Sequence, residues 1–216
     1  GISDLISLMA GNGSTSINKD DFNEEIDYLA ATLSIAPNGA YAQVLSKYFP
    51  RVLALIADAA LHPNFTEEDM EKEKARIIQS IRANESNAEV IMKRVRQTLR
   101  YSTAHPYGEY ITEAQIAALT LDDVTNYYRK RFVPNNAYLV VTGDVNPEEV
   151  ITLVNQYFAD WQPYSEETPN LYIPENVSET QINFIDLPSA VQSEIQVTNL
   201  IDLKMSHPDY FPLLVA

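Results

Sequence analysis

The sequence contains no cysteine and only three histidines among its 216 residues. Without thiols the chain can form no disulfide bond, no thiolate zinc finger and no cysteine nucleophile. The histidines stand far apart, at His62, His105 and His207, so no two of them share a helical turn as a metal-binding pair would. We therefore expect each to be a loop or surface residue rather than a zinc ligand.

Basic side chains are scarce, with 15 Lys and Arg against 30 Asp and Glu, which gives a net charge of −15. After Arg131 the only basic side chain is Lys204, against twelve acidic ones. Such a surface repels phosphate backbones, which argues against a nucleic-acid-binding function. The acidic charge could attract basic peptides, although solubility alone is the simpler explanation.

Long apolar runs and glycine-rich phosphate-binding loops are also missing from the chain. No apolar run approaches the roughly 20 residues that a membrane-spanning helix needs. The chain opens in an amphipathic segment and closes inside the apolar run 211–216, whereas natural termini are usually exposed and polar. We therefore expect both ends to have been cut from a longer protein.

Apolar periodicity and capping signals predict several helices and a hairpin. Residues 2–9 place apolar side chains at i, i+3, i+4 and i+7, which is typical of one helix face. Asn18 is a predicted N-cap, and Thr66 and Thr120 each precede an aspartate by three residues, a capping-box pattern. Residues 33–45 predict a hairpin that turns at Pro-Asn-Gly. The charged helical stretch after Thr66 should be interrupted at residues 84–87.

Two further segments predict strands. The apolar run 137–142 indicates a buried strand, and Val191, Ile195 and Val197 alternate with polar residues as in a half-buried strand. Helices and antiparallel strands in this order favour an α+β fold, with helices packed on a mainly antiparallel sheet. Between these strands, three prolines with Glu166 and Glu167 indicate a linker.

Several segments match one family pattern in order and spacing. They are the opening Gly-Ile-Ser-Asp-Leu-Ile-Ser-Leu-Met of residues 1–9, Leu-His-Pro-Asn-Phe at 61–65, Met-Glu-Lys-Glu-Lys at 70–74, His-Pro-Tyr-Gly at 105–108, the segment 127–145 that ends in Gly-Asp-Val, and Ala-Val-Gln-Ser at 190–193. Together they resemble the insulinase/pitrilysin family of zinc peptidases, which includes the mitochondrial processing peptidases. The active-site helix of that family reads Gly-x-x-His-x-x-Glu-His-Met.

The resemblance implies one half of a two-domain clamshell, truncated at both ends. Residues 1–162 would form a first peptidase-like domain that lacks its N-terminal strands. Residues 163–180 would form a linker rich in Pro and Glu, and residues 181–216 would begin a second homologous domain.

The resemblance also implies that the metal site has been erased. In the family, two histidines bind zinc, the glutamate between them is the general base, and a glutamate on a later helix is the third protein ligand. Here the two histidine positions hold Asp4 and Leu8, and the base position holds Ser7. The distal ligand position falls on Ser80, with Glu85 as the nearest acidic alternative. Since Leu8 has no lone pair and a serine is too weak a base at neutral pH, we expect no zinc, no other cofactor and no hydrolysis by this segment.

Three functions remain open at this point. The leading hypothesis is a non-catalytic half or subunit that encloses and binds peptide beside a zinc-bearing homologous subunit, or beside the other half of its own chain. The alternative is a purely structural subunit that uses the same fold for assembly. A third is an enzyme with a rearranged metal site built on Asp4 and Glu85. Because bacterial members of the family are often periplasmic, the resemblance suggests that compartment.

Overall fold

A computed structural model describes residues 1–165, 171–172, 174–188, 190–201 and 203–215, apart from the side chain of Asn136. The described helices are α1 Ile2–Met9, α2 Lys19–Tyr28, α3 Phe49–Leu61, α4 Glu67–Ala83, α5 Ala88–Tyr101, α6 Glu113–Ala118, α7 Leu121–Arg131, α8 Pro147–Tyr157 and α9 Tyr210–Val215, with 3-10 turns at Ser46–Tyr48 and Pro134–Asn136. Strands β1 Thr32–Ala36 and β2 Gly39–Gln43 form an antiparallel sheet. The predicted α+β class is thereby confirmed.

The chain divides into two compact units. The first contains Gly1–Ser80 and Ile111–Thr168, and the second contains Ile81–Tyr110 and Pro169–Ala216. None of the described helices combines the length and apolar character needed to cross a membrane. Part of the predicted linker, including Glu166, Glu167 and Pro169, lies outside the described residues.

Side-chain caps begin the helices where the sequence predicts them. The side-chain oxygen of Asn18 accepts the Asp21 N–H at 3.0 Å, and the Thr66 hydroxyl accepts the Asp69 N–H at 3.1 Å. Thr120 and Asp123 bond reciprocally, and the hydrogen bonds from Thr120 hold the pKa of Asp123 below its usual value. Each such cap stabilises a helix by about 1 kcal/mol. The predicted break between α4 and α5 is also confirmed.

The core of the first unit lies where one face of α1 meets α7 and β1, and where α3 packs on the hairpin and α8. On α1, Leu5 and Ile6 are completely buried. Fully burying an apolar side chain of this size contributes about 1.5–3 kcal/mol, so α1 is held in one rotational setting. The remaining core side chains include Met9, Phe22, Ile35, Val52, Leu55, Val124 and Tyr128.

The two additional strand predictions are wrong. Residues 137–142 form no strand, and Tyr138 and Val140 are 93% and 80% exposed. Val191 and Val197, predicted to be half-buried, are 98% and 95% exposed. An apolar or alternating pattern favours extended backbone, but a strand also needs a neighbouring strand to bond to and a surface to cover. Within the described ranges, β1 and β2 pair only with each other.

The hydroxyl of Tyr128 generates a stability prediction. It donates a 2.9 Å hydrogen bond to the carbonyl of Ala60 in the last turn of α3, and burial raises its pKa well above the usual value. The change Tyr128→Phe leaves that carbonyl unpaired in the core, so the free energy of unfolding should fall by about 1–2 kcal/mol in urea denaturation. The matched change Tyr138→Phe, at an exposed tyrosine, should have no effect. Equal losses in the two variants would contradict this account.

Candidate functional site

Helix α1 presents the three predicted active-site positions on the face opposite the core. Asp4, Ser7 and Leu8 are spaced at i, i+3 and i+4, so they are neighbours on the helix surface. The Asp4 side chain is 65% exposed, Ser7 is exposed and Leu8 is partly buried. The face that would carry a metal site is therefore accessible.

The side chains on this face do not suit zinc. The Ser7 hydroxyl donates to the Ser3 carbonyl at 2.8 Å, so it is engaged within the helix. Leu8 offers only hydrocarbon. Zinc in proteins is held by thiolate, imidazole or carboxylate groups, and catalytic sites use three of them. This face of α1 supplies only one such group, the carboxylate of Asp4.

The distal positions add little to this donor set. Ser80 lies in the last part of α4 and Glu85 in the break before α5, and both are exposed. Over the described ranges, no group of three or more His, Asp or Glu side chains is placed to hold a metal ion.

The histidines occupy different environments. His62 and His207 are exposed, whereas His105 lies in the loop after α5 and is only 7% exposed. Its Nδ1 accepts the Tyr107 N–H at 3.0 Å, and its ring stacks on Tyr101 with 5.1 Å between centroids. His105 is therefore a loop residue, as predicted, but it is not on the surface. Its role in this aromatic cluster is structural.

Sequence reasoning missed a polar cluster that fixes the loop after α1. The buried hydroxyl of Ser14 donates to Asp58 on α3 at 2.5 Å, and Ser16 donates to the same carboxylate oxygen. The Thr15 N–H also bonds to the His62 carbonyl at 2.9 Å. This arrangement ties the loop that follows α1 to α3 and to its C-terminal end. The available signal was an aspartate within residues 52–61 of α3, which are otherwise apolar.

Sequence reasoning also missed the buried polar groups of α4. Lys74 is only 6% exposed, and its ammonium donates to Glu71 at 2.8 Å and to the Ala117 carbonyl at 3.3 Å. The neighbouring Glu73 side chain is 13% exposed, and Arg76 lies 3.6 Å from its carboxylate. Lys74 and Glu73 belong to a run of alternating Glu and Lys. Because such a run is typical of a solvent-exposed helix, the sequence did not indicate that these two side chains are buried.

Comparison with known families accounts for both halves of the chain. Residues 1–108 match the model described as Insulinase (Peptidase family M16), and residues 118–216 match the Peptidase M16 inactive domain. The chain belongs to the M16 family. The resemblance seen in the sequence is thereby confirmed.

Individual M16 relatives differ in what their names say about activity. An uncharacterized zinc protease of Rickettsia felis is 25% identical over 165 residues, which are 74% of this chain and 40% of the relative. The non-peptidase homolog YmxG of Helicobacter pylori is 21% identical over 160 residues, 72% of this chain and 37% of the relative. The crystal structure of a peptidase M16 inactive domain from Pseudomonas fluorescens has the same fold, with a TM-score of 0.66 at 15% identity over 80% of this chain and 43% of that one.

The chain therefore spans about two fifths of the length of these M16 proteins. Since one relative is called a protease and another a non-peptidase homolog, membership of M16 alone does not decide activity. The match to the inactive domain and the non-peptidase relative support an inactive M16-like member.

The partly buried side chain of Leu8 generates the prediction for this site. The change Leu8→His supplies one imidazole beside Asp4 but no third ligand. Thermal unfolding should show stability that is unchanged or lowered by up to about 1–3 kcal/mol, and added zinc should not raise it.

The matched control is Leu8→Gln, which introduces a polar side chain without an imidazole. Added zinc should leave the unfolding midpoint of both variants unchanged. A rise in the unfolding midpoint with zinc in the histidine variant alone would mean that further ligands are still arranged around α1, and the erased-site interpretation would then be wrong.

Proposed function

We propose that this chain is the non-catalytic part of an M16 peptidase, which encloses and binds peptide beside a zinc-bearing partner. One observation carries the proposal: the helix that resembles the active-site helix of the family presents Asp4, Ser7 and Leu8 on its accessible face. A fold of this family with an accessible but ligand-poor face retains a surface for peptide while lacking the groups that hydrolyse one.

The hairpin next to α1 supports the peptide-binding part of the proposal. Strands β1 and β2 pair in register from Thr32↔Gln43 to Ala36↔Gly39, and α1 contacts β1. In the described part of the chain neither strand has a second neighbour, so each offers a row of backbone N–H and C=O groups. An extended peptide can add to such an edge through main-chain hydrogen bonds. We propose that peptide binds there.

Exposed apolar residues support the need for a partner. In α9, Phe211 is 68% exposed, Leu214 66% and Val215 87%. Clustered apolar side chains of this size are seldom left uncovered on a monomer. The partner would be a zinc-bearing homologous subunit or another part of the same polypeptide. Its own residues, and not those of α1, would bind the zinc.

A purely structural role is the second candidate, and the relative named as a non-peptidase homolog favours it. Such a subunit would use the same exposed apolar surface for assembly without handling peptide. A rearranged metal site built on Asp4 and Glu85 is the third candidate, and no observation on the described residues favours it.

Co-expression tests the proposal. The chain is produced with each homologue of the same organism that carries an intact His-x-x-Glu-His motif, and with the remaining segments of its own protein. We expect one of these to co-purify through an interface larger than about 1,000 Å² and to cleave a fluorogenic peptide faster with the chain than without it. Association through α9 should depend only weakly on salt, because apolar contacts are not screened.

Two matched variants identify the surface. Phe211→Ser with Leu214→Ser should abolish co-purification, whereas the exposed Met205→Ser should not. A partner that binds without any change in peptide cleavage would favour the structural role. If no candidate co-purifies with the chain, and none cleaves the fluorogenic peptide at a different rate when the chain is present, the proposed function is wrong.

A further inference from the structure

Helix α5 concentrates positive charge in an otherwise acidic chain. Lys93, Arg94, Arg96 and Arg100 stand against the single acidic residue Glu89, so the helix carries a net +3 (four basic minus one acidic) while the whole chain carries −15. Lys93, Arg96 and Arg100 are spaced at i, i+3 and i+7 and therefore lie along one side of the helix. We call these three residues the basic stripe.

Within the described part of the chain, the two arginines of the basic stripe have no internal partner. The Nε atoms of Arg96 and Arg100 are sealed from solvent and have no hydrogen bond, and neither guanidinium forms an ion pair with any described residue. An arginine stays charged in a protein, so each guanidinium carries a positive charge that no ion pair with a described residue offsets. Both side chains remain partly accessible and Lys93 is exposed, so an external anion could reach the terminal Nη groups.

We propose that the basic stripe binds a short, extended acidic segment of a polypeptide. The helical rise separates successive members of the stripe by about 4.5 and 6 Å along the axis. Alternate residues of an extended chain repeat every 6.6 Å or so and point to the same side. Carboxylates at alternate positions can therefore meet the three cations one by one, and carboxylate–guanidinium pairs are among the stronger hydrogen bonds in proteins.

The charge of the chain selects this ligand over a nucleic acid. A helix of this length is about 21 Å long, and a duplex of that length carries about 12 phosphates. The four cations of α5 can pair with only a few of these phosphates, and the acidic remainder of the chain repels the phosphates that stay unpaired. A short acidic peptide presents only a few charges, and acidic groups farther than about 8 Å away are largely screened at physiological salt.

A fluorescent decapeptide with five Glu-Ser repeats tests the proposal by anisotropy, against the matched Gln-Ser peptide. At 50 mM NaCl we expect the Glu peptide to bind at least about tenfold more tightly than the Gln peptide. Raising the NaCl concentration to 200 mM should weaken the binding of the Glu peptide. Arg96→Gln with Arg100→Gln should weaken binding about five- to tenfold, and the exposed Lys93→Gln about two- to threefold.

The control variant Lys72→Gln with Arg129→Gln removes the same charge from exposed residues outside α5 and should change affinity less than about twofold. Circular dichroism checks that each variant is folded, and the Lys93 variant gives a result even if the double arginine variant unfolds. The proposal would be overturned if the two peptides bound equally tightly. It would also be overturned if the control variant lost as much affinity for the Glu peptide as the double arginine variant. Tighter binding of a ten-nucleotide DNA through the same arginines would overturn it as well. The proposal does not depend on the peptidase-like role of α1.

Discussion

The burial of one face of α1 determines the arrangement of the whole candidate site. Leu5 and Ile6 lie completely inside the core against neighbouring elements, and Asp58 holds the loop that follows the helix through two serine hydroxyls. Rotating α1 would expose those apolar side chains at a cost of several kcal/mol. The opposite face is therefore kept accessible, whichever residues occupy it.

This separation of faces explains how a catalytic site can be lost while the fold persists. The residues that support packing and the residues that would support chemistry are adjacent in sequence but point in opposite directions. Asp4 and Ser7 are exposed, so replacing them removes no core contact and stability constrains them little; the partly buried Leu8 is more constrained. The same reasoning supports the proposed binding role, because α1 still packs against the neighbouring hairpin.

The sequence predicted the local features of the fold well and the long-range ones poorly. Caps at Asn18, Thr66 and Thr120, the hairpin turn and the break after α4 depend on a few adjacent residues, and all are confirmed. The strands predicted at 137–142 and 191–197 failed because pairing depends on a neighbouring strand that no local pattern encodes. At the site, the accessible positions followed from the helical period, whereas the anchoring by Asp58 and the burial of Lys74 depended on contacts more than 40 residues apart in sequence.

The central claim is that the accessible face of α1 no longer holds a metal, and zinc content measures this directly. The purified chain is dialysed against a mild chelator and analysed for metal, beside a variant that carries Asp4→His, Ser7→Glu, Leu8→His and Ser80→Glu. The account predicts zinc well below one ion per chain for the natural sequence and close to one for the variant, because the variant regains three protein ligands. Retention of one zinc per chain by the natural sequence would contradict the account.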